Sequence, residues 1–291
     1  PRRLVGHFSR PYIAGAQVSD AVALVRDLNA GGMSATLDLL GEHVNCLEDA
    51  AGPRDAYIQM LDEIRQEGLE ANVSIKLTQV GLKIDALACY RNLRVVVVRA
   101  ASLGLFVRLD MEDSSCTDET LQIYRRLRAE GFTNTGVVLQ AMLRRTARDA
   151  DELAALGARV RLCKGIYVEA PRVAWQDRET VRRNYAFILE RLLRAGCHVG
   201  IATHDELLVW EGVRLVRELG LAPDRYEFQM LLGVAEELRG ILVAEGHPLR
   251  VYVPFGEQWY AYSVRRLREN PRLPGAYYRK IRLDFPLCGS L

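Results

Sequence analysis

The chain has 291 residues, 49% hydrophobic and 26% charged, ordinary globular values that exclude a disordered, collagenous or disulfide-stapled chain. Lysine plus arginine totals 39 and aspartate plus glutamate 37, a net charge of +2. That is too balanced for nucleic-acid binding by bulk charge, and no apolar run reaches the ~20 residues of a membrane span.

Apolar, β-branched runs recur along the chain, each followed by a longer amphipathic stretch. A first helix is expected at residues 18–30, ahead of any strand. Strands are expected at 34–40, 72–77, 105–110, 135–141, 159–163, 198–203, 225–230 and 250–253. Helices are expected between them, at 55–67, 85–102, 119–130, 181–195 and 234–245. The run Val95-Val96-Val97-Val98 reads as part of the 85–102 helix despite its β-branched content. Gly131, Gly157, Gly196 and Gly220 follow helical stretches, where a left-handed C-cap residue belongs. Eight βα units without a low-complexity linker point to an α/β fold, a distorted (βα)8 TIM-like barrel of the ~250-residue class. The expected organisation is an N-terminal helical segment at 1–33, the barrel at 34–270 and a tail at 271–291. An open doubly wound sheet is the weaker alternative, because Gly41-Glu42-His43-Val44 replaces a glycine-rich fingerprint after the first strand.

Six cysteines without a C-x-x-C pair and five histidines without H-E-x-x-H spacing predict reduced thiols and no metal site. The chain begins at Pro1 rather than Met, which leaves an upstream segment open.

Only four lysines occur, at 76, 83, 164 and 280. Two of them, Lys76 and Lys164, fall at strand ends. In a barrel the chemistry sits at the C-terminal ends of strands. Those ends carry Asp38 and Glu42, Lys76, Asp110 and Met111, Gln140, Arg161 and Lys164, Thr203 and His204, and Gln229. Alternation in Val-Ser-Ile-Lys-Leu puts Lys76 in phase with Ser74. After the last strand, Tyr262, Arg265, Arg266 and Glu269 fall at i, i+3, i+4 and i+7 and share one helical face. Spacing alone allows a solvated charged stripe. It equally allows paired guanidiniums that clamp a carboxylate or phosphate under an aromatic ring.

The segment Tyr262-Ser263-Val264-Arg265-Arg266-Leu267-Arg268-Glu269-Asn270 resembles the Tyr-x-x-Arg-Arg-x-x-Glu-Asn signature of the proline dehydrogenase family. So do Val73–Leu77, Arg108–Glu112, Arg161–Tyr167, Ala202–Asp205, Glu227–Met230 and Val251–Pro254, in the family's order. The resemblance implies a flavin-binding (βα)8 barrel with the final helix over the active site. It implies FAD as cofactor, L-proline as substrate and Δ1-pyrroline-5-carboxylate as product. Electrons would pass to a membrane quinone, and a pyrroline-5-carboxylate dehydrogenase would follow in catabolism.

Carried over residue by residue, Arg265, Arg266 and Lys76 would hold the proline carboxylate. Tyr252, Tyr262 and Tyr167 would wall the pocket, with Leu232 or a neighbour. Asp110 would orient the substrate amine and Lys76, or only neutralise Lys76. Arg161 would be the cation beside flavin N5. Gln140, Met111, Lys164, Gly165, Ile166, Thr203, His204 and Gln229 would complete the cofactor contacts. Glu42 would pair with Arg265 to close a lid. No second catalytic domain is present, so the resemblance implies a monofunctional enzyme or the proline dehydrogenase part of a bifunctional proline utilisation protein. The aromatic and basic run at 277–282 suits contact with an anionic membrane surface, giving an expected cytoplasmic location with attachment to the inner face. Other readings of a lysine-rimmed barrel remain at this point: a Schiff-base aldolase through Lys76 or Lys164, a methylenetetrahydrofolate reductase, or a non-enzymatic binding barrel.

Overall fold

A computed structural model describes Val5, residues 10–41 and residues 44–269, with side chains for 11–41 and up to 264. The expectations for Glu42, for the side chains of Arg265 and Arg266, and for the tail at 271–291 lie outside the described residues.

Eight parallel strands close into a barrel in chain order. They are β1 Ser34–Leu39, β2 Ala71–Ile75, β3 Val107–Leu109, β4 Thr135–Gln140, β5 Arg159–Cys163, β6 His198–Ala202, β7 Tyr226–Leu231 and β8 Leu249–Phe255. Closure is made by β1 against β8, from Ser34 opposite Arg250 to Leu39 opposite Phe255. Helix α1, Val18–Ala30, precedes the barrel, and α2 Ala51–Gln66, α3 Ala86–Ser102, α4 Thr117–Ala129 and α5 Thr146–Ala155 follow the first four strands. Then come α6 Arg178–Arg194, α7 Glu206–Glu218, α8 Glu236–Ala244 and α9 Trp259–Glu269. Among the described residues no helix is long and apolar enough to cross a membrane.

The four valines at 95–98 are helical, as expected. Asp85 caps α3 by accepting from Leu87 N and Ala88 N at 2.8 and 2.9 Å. Val96 and Val97 are fully buried, whereas Val95 and Val98 face solvent. Burial at helical spacing overrides the strand preference of β-branched residues. Gly131, Gly157, Gly196 and Gly220 all take positive φ, from 57° to 90°, as C-cap residues do. Strand ends fall within two residues of expectation. Lys76 is extended but lies past β2, at the start of a short 3-10 turn over Leu77–Val80.

The two faces of the barrel wall differ in chemistry. Outward residues such as Leu37, Val73, Ile75, Leu109, Val137, Val160, Ile201 and Phe228 are fully buried in one apolar cluster with the helices. Inward residues are polar and also buried: Thr36, Asp38, Asn72, Ser74, Arg108, Arg161, Glu227 and Gln229. Barrel interiors are usually filled by branched aliphatics. Here two inward glycines make room for long polar side chains. A Cβ on Gly136 would collide with Arg108 Nη1, and one on Gly200 with Gln229 Nε2.

Candidate active site

At the C-terminal ends of the strands a cavity of about 1150 Å³ opens, somewhat above the ~300–1,000 Å³ usual for small-molecule sites. Its floor is a network across the barrel. Asp110, just past β3, is 8% exposed. Its Oδ1 accepts from Ser74 Oγ and, at 2.7 Å, from Arg161 Nη1. Its Oδ2 accepts from the Tyr252 hydroxyl at 2.7 Å. Arg161, reaching inward from β5, also donates from Nε to Gln229 Oε1 at 2.5 Å and lies 5.1 Å from the Tyr252 ring centroid. A guanidinium bonded on two edges and stacked on a ring is fixed in place.

Lys76 Nζ forms its ion pair with Asp38, not with Asp110. Asp110, just past β3, is taken by Arg161 from β5, which leaves Asp38 on β1 as the partner of Lys76. Burial pulls the Lys76 ammonium down, but Asp38 and Asp110 outweigh it and hold its pKa above the ordinary value. Burial pushes Asp38 up despite Lys76, with Asp110 adding to the rise. Burial, then Asp110 and Asp38, push the Tyr252 phenol well above its usual range, so Tyr252 remains a neutral donor.

A second cationic group stands at the other end of the cavity. Lys164 Nζ and Arg182 Nε both pair with Asp205 Oδ2, at 2.9 and 2.7 Å. Burial alone would raise Asp205; Arg182 and Lys164 outweigh it and hold the carboxyl below its ordinary value. Asp205 N donates to Thr203 Oγ1 at 3.1 Å, and Leu231 N donates to His204 Nε2 at 2.8 Å. His204 therefore carries an acceptor nitrogen on Nε2. Gly165 turns the chain between these groups at φ 101°, with its Cα against Met142: a Cβ there would sit 2.5 Å from Met142 Cγ.

The cavity brings together Lys76, Asp110, Met111, Arg161, Lys164, Gly165, Ile166, Tyr167, Thr203, His204, Gln229, Tyr252 and Tyr262, twelve of them on strands or the loops after them and Tyr262 on α9. Gln140 stands apart. It is 2% exposed, does not line the cavity and donates from Nε2 to the Glu112 carbonyl at 2.8 Å. Leu232 does not line it either; its neighbour Leu231 does. Glu42, Arg265, Arg266 and the Glu42–Arg265 pair lie outside the described residues. Reasoning from sequence gave no role to Asp38, Arg182 or Asp205. Asp38 had a signal, a lone charge in the apolar run Ser-Ala-Thr-Leu-Asp-Leu-Leu. Arg182 had none, being one arginine among several on an amphipathic helix. Among the described residues no group of three metal-ligating side chains occurs.

Residues 21–274 match the family model for proline dehydrogenase. The chain is 38% identical over 259 residues to proline dehydrogenase 2 of Bacillus subtilis (strain 168), covering 89% of this chain and 85% of the relative. It is 36% identical over 275 residues to a proline dehydrogenase of Deinococcus radiodurans, covering 93% and 89%. Its fold is similar to the crystal structure of proline utilization A from Bdellovibrio bacteriovorus inactivated by N-propargylglycine. The TM-score is 0.85 and the identity 24%, over 97% of this chain and 34% of that one.

Proposed function

The chain belongs to the proline dehydrogenase family, and from that premise we propose that it oxidises L-proline to Δ1-pyrroline-5-carboxylate with FAD in the barrel-top cavity. The observation that carries this reading is Arg161, a buried cation held by Asp110 and Gln229 in a cavity with cationic groups at both ends. The residues present fit the cofactor. The volume accommodates an elongated dinucleotide. Lys164 and Arg182 share Asp205, and Glu179 reaches Arg182 only at 3.9 Å, so they retain donors for a pyrophosphate. Gly165 brings backbone close to that end. Thr203, His204, Met111, Ile166 and Gln229 line the length between. Gln140 supports this wall from behind through the Glu112 carbonyl.

Bound there, FAD supplies a two-electron hydride acceptor. The chain's own residues bind and orient the substrate. Lys76 Nζ, kept protonated by Asp38 and Asp110, offers one charge to the proline carboxylate; by resemblance to the family signature, Arg265 and Arg266 would complete the clamp. Tyr252, Tyr262 and Tyr167 exclude water from the ring. Arg161 places a fixed positive charge at the reaction centre, where preorganised charge lowers the barrier. A Schiff-base aldolase needs a lysine with a lowered pKa, and that of Lys76 is raised.

The barrel at 34–270 forms the catalytic unit in this reading. Electrons leave to a membrane quinone, the protein sits in the cytoplasm against the inner face of the membrane, and a pyrroline-5-carboxylate dehydrogenase takes the product. The test is the visible spectrum of the purified protein, with the released flavin identified. Flavin bands that bleach anaerobically with L-proline support the reading. A colourless protein that takes up no FAD refutes it.

A further inference from the structure

The opposite, N-terminal mouth of the barrel holds a second cavity of about 250 Å³, lined by three guanidiniums, those of Arg108, Arg159 and Arg250. Two carboxylates also line it. Glu227 is engaged: it accepts from Arg250 Nε at 2.9 Å and from Gln229 Nε2 at 2.5 Å. Glu70 is exposed at the rim and makes no ion pair among the described residues. Neither Arg108 nor Arg159 has a carboxylate within ion-pair distance among the described residues.

Arg108 is the sharper anomaly. It is 2% exposed, yet its Nη1 reaches only backbone, the Arg159 carbonyl at 2.7 Å and the Val137 carbonyl at 3.4 Å. Its buried Nε has no partner. Both guanidiniums lie against one ring, 4.8 and 4.9 Å from the Phe106 centroid, so they face a common space. Gly136 clears the path for this arrangement. Burial, then Arg161, lower Arg108 to about 9, which still leaves it charged at neutral pH. Neighbouring His198 adds no charge there, since burial and then Arg159 lower it to about 4. Glu227 acts on Arg108 and Arg159 from beyond ion-pair distance but is already paired with Arg250, and one carboxylate among three guanidiniums leaves positive charge uncompensated, which is costly for the buried Arg108 guanidinium. Water answers its hydrogen bonds but not its charge.

We propose that this cavity binds a small oxyanion, a phosphate or a carboxylate, between Arg108 and Arg159. The planar forks of two guanidiniums suit such an ion, and the space admits one with its water. The site lies at the far end of the barrel from the proline cavity and does not depend on the functional reading given above.

The experiment is calorimetric titration of the flavin-loaded protein with inorganic phosphate and, separately, acetate, at ionic strength fixed with sodium chloride. Saturable one-to-one binding of either ion is expected, and the stronger of the two identifies the ligand class. Arg159→Gln, at an exposed position, should weaken binding by roughly 10- to 100-fold, the loss of a charge-assisted contact, with proline turnover unchanged. Arg108→Met should abolish binding if it folds. Lys164→Met, in the other cavity, should leave the affinity intact. Three results would overturn the proposal: no saturation beyond what chloride alone produces, an unchanged affinity in Arg159→Gln, or loss of binding in Lys164→Met.

Discussion

Asp110 is the point at which the barrel floor is most open to test, because three side chains from three strands donate to its two oxygens. In Tyr252→Phe a single hydroxyl is removed without changing ring volume. The bond lost is 2.7 Å long, partly buried and made to a carboxylate, a type worth ~1.5–3 kcal/mol. Asp110 keeps Ser74 and Arg161, so the variant should fold and lose stability within that range. Asp110→Asn is harsher. It leaves Arg161, 6% exposed, without its counter-charge, and breaking a buried pair costs ~3–5 kcal/mol. An amide nitrogen also faces either the Arg161 donor or the tyrosine hydroxyl.

Both changes loosen the Arg161 guanidinium, which the proposed function sets at the reaction centre. kcat/KM for L-proline should fall about tenfold or more in Tyr252→Phe, and by at least a further tenfold in Asp110→Asn, taking 1.4 kcal/mol per decade. The double variant closes a cycle. If the two residues act through one bond, the double loss falls short of the sum by ~1–2 kcal/mol. The assays are urea unfolding followed by circular dichroism and steady-state kinetics on all four proteins. Strict additivity, or a Tyr252→Phe cost below ~0.5 kcal/mol in both measurements, would show that Asp110 does not organise the floor.

Tyr262 is 8% exposed and lines the cavity from α9, so wild type should disfavour trans-4-hydroxy-L-proline by roughly 10- to 200-fold in kcat/KM. Tyr262→Ser should narrow that ratio, and an unchanged ratio would remove Tyr262 from the pocket wall. Gly165→Ala meets positive φ and the Met142 side chain together; a loss of about 2–4 kcal/mol in stability is expected, with reduced flavin content measured by absorbance. Acid stability should fall in two steps. His198, lowered from 6.5 to about 4 by burial and then Arg159, is protonated first in the unfolded chain, so stability drops as pH falls from 6.5 to 4. Burial raises Glu227, but Arg250, His198 and Arg108 outweigh it and hold it at about 2 against a usual 4.5; its contribution is present above 4.5 and is lost as pH falls from 4.5 to 2. Thermal melts across pH should show His198→Gln flattening the upper step, by up to about 3 kcal/mol, and shrinking the lower one, because His198 also holds Glu227 down; a variant curve parallel to wild type contradicts the assignment.

The barrel was legible because the outward face of every strand is apolar at period two and the segments between strands repeat at helical spacing. Val95–Val98 was the hardest element, and the helical spacing of its neighbours resolved it. Most residues that line the cavity were legible too, by resemblance at strand ends. Their partners were not. Asp38 and Lys76 are 38 residues apart, Asp110 and Arg161 51, and Arg161 and Gln229 68. Such pairs exist only after the barrel has closed, and no local period records them. The strand Arg-Val-Arg-Leu-Cys reads as half-solvated, yet Arg161 is one of the most buried cations in the chain. Period two says that two faces differ, and it does not say that the polar face is the inner one.

That inner face carries a consequence for the orientation of the site. From the lower mouth upward, Arg250 donates to Glu227, Glu227 accepts from Gln229 Nε2, Gln229 Oε1 accepts from Arg161, and Arg161 donates to Asp110. Glu227 only accepts and Arg161 only donates. The Gln229 carboxamide between them therefore has one satisfied rotation, nitrogen down and oxygen up. Flipped, it would set two acceptors against each other at 2.5 Å and two donors against each other above. Charges fixed at the bottom of the barrel thus determine which atom meets Arg161 at the top. An aliphatic interior would pack as densely, but it would leave that guanidinium free to rotate about the bond to Asp110. Buried polar side chains cost stability where they are unpaired. Here each link between Arg250 and Asp110 is paired, and the order of donors and acceptors is the reason the Arg161 guanidinium has a single geometry.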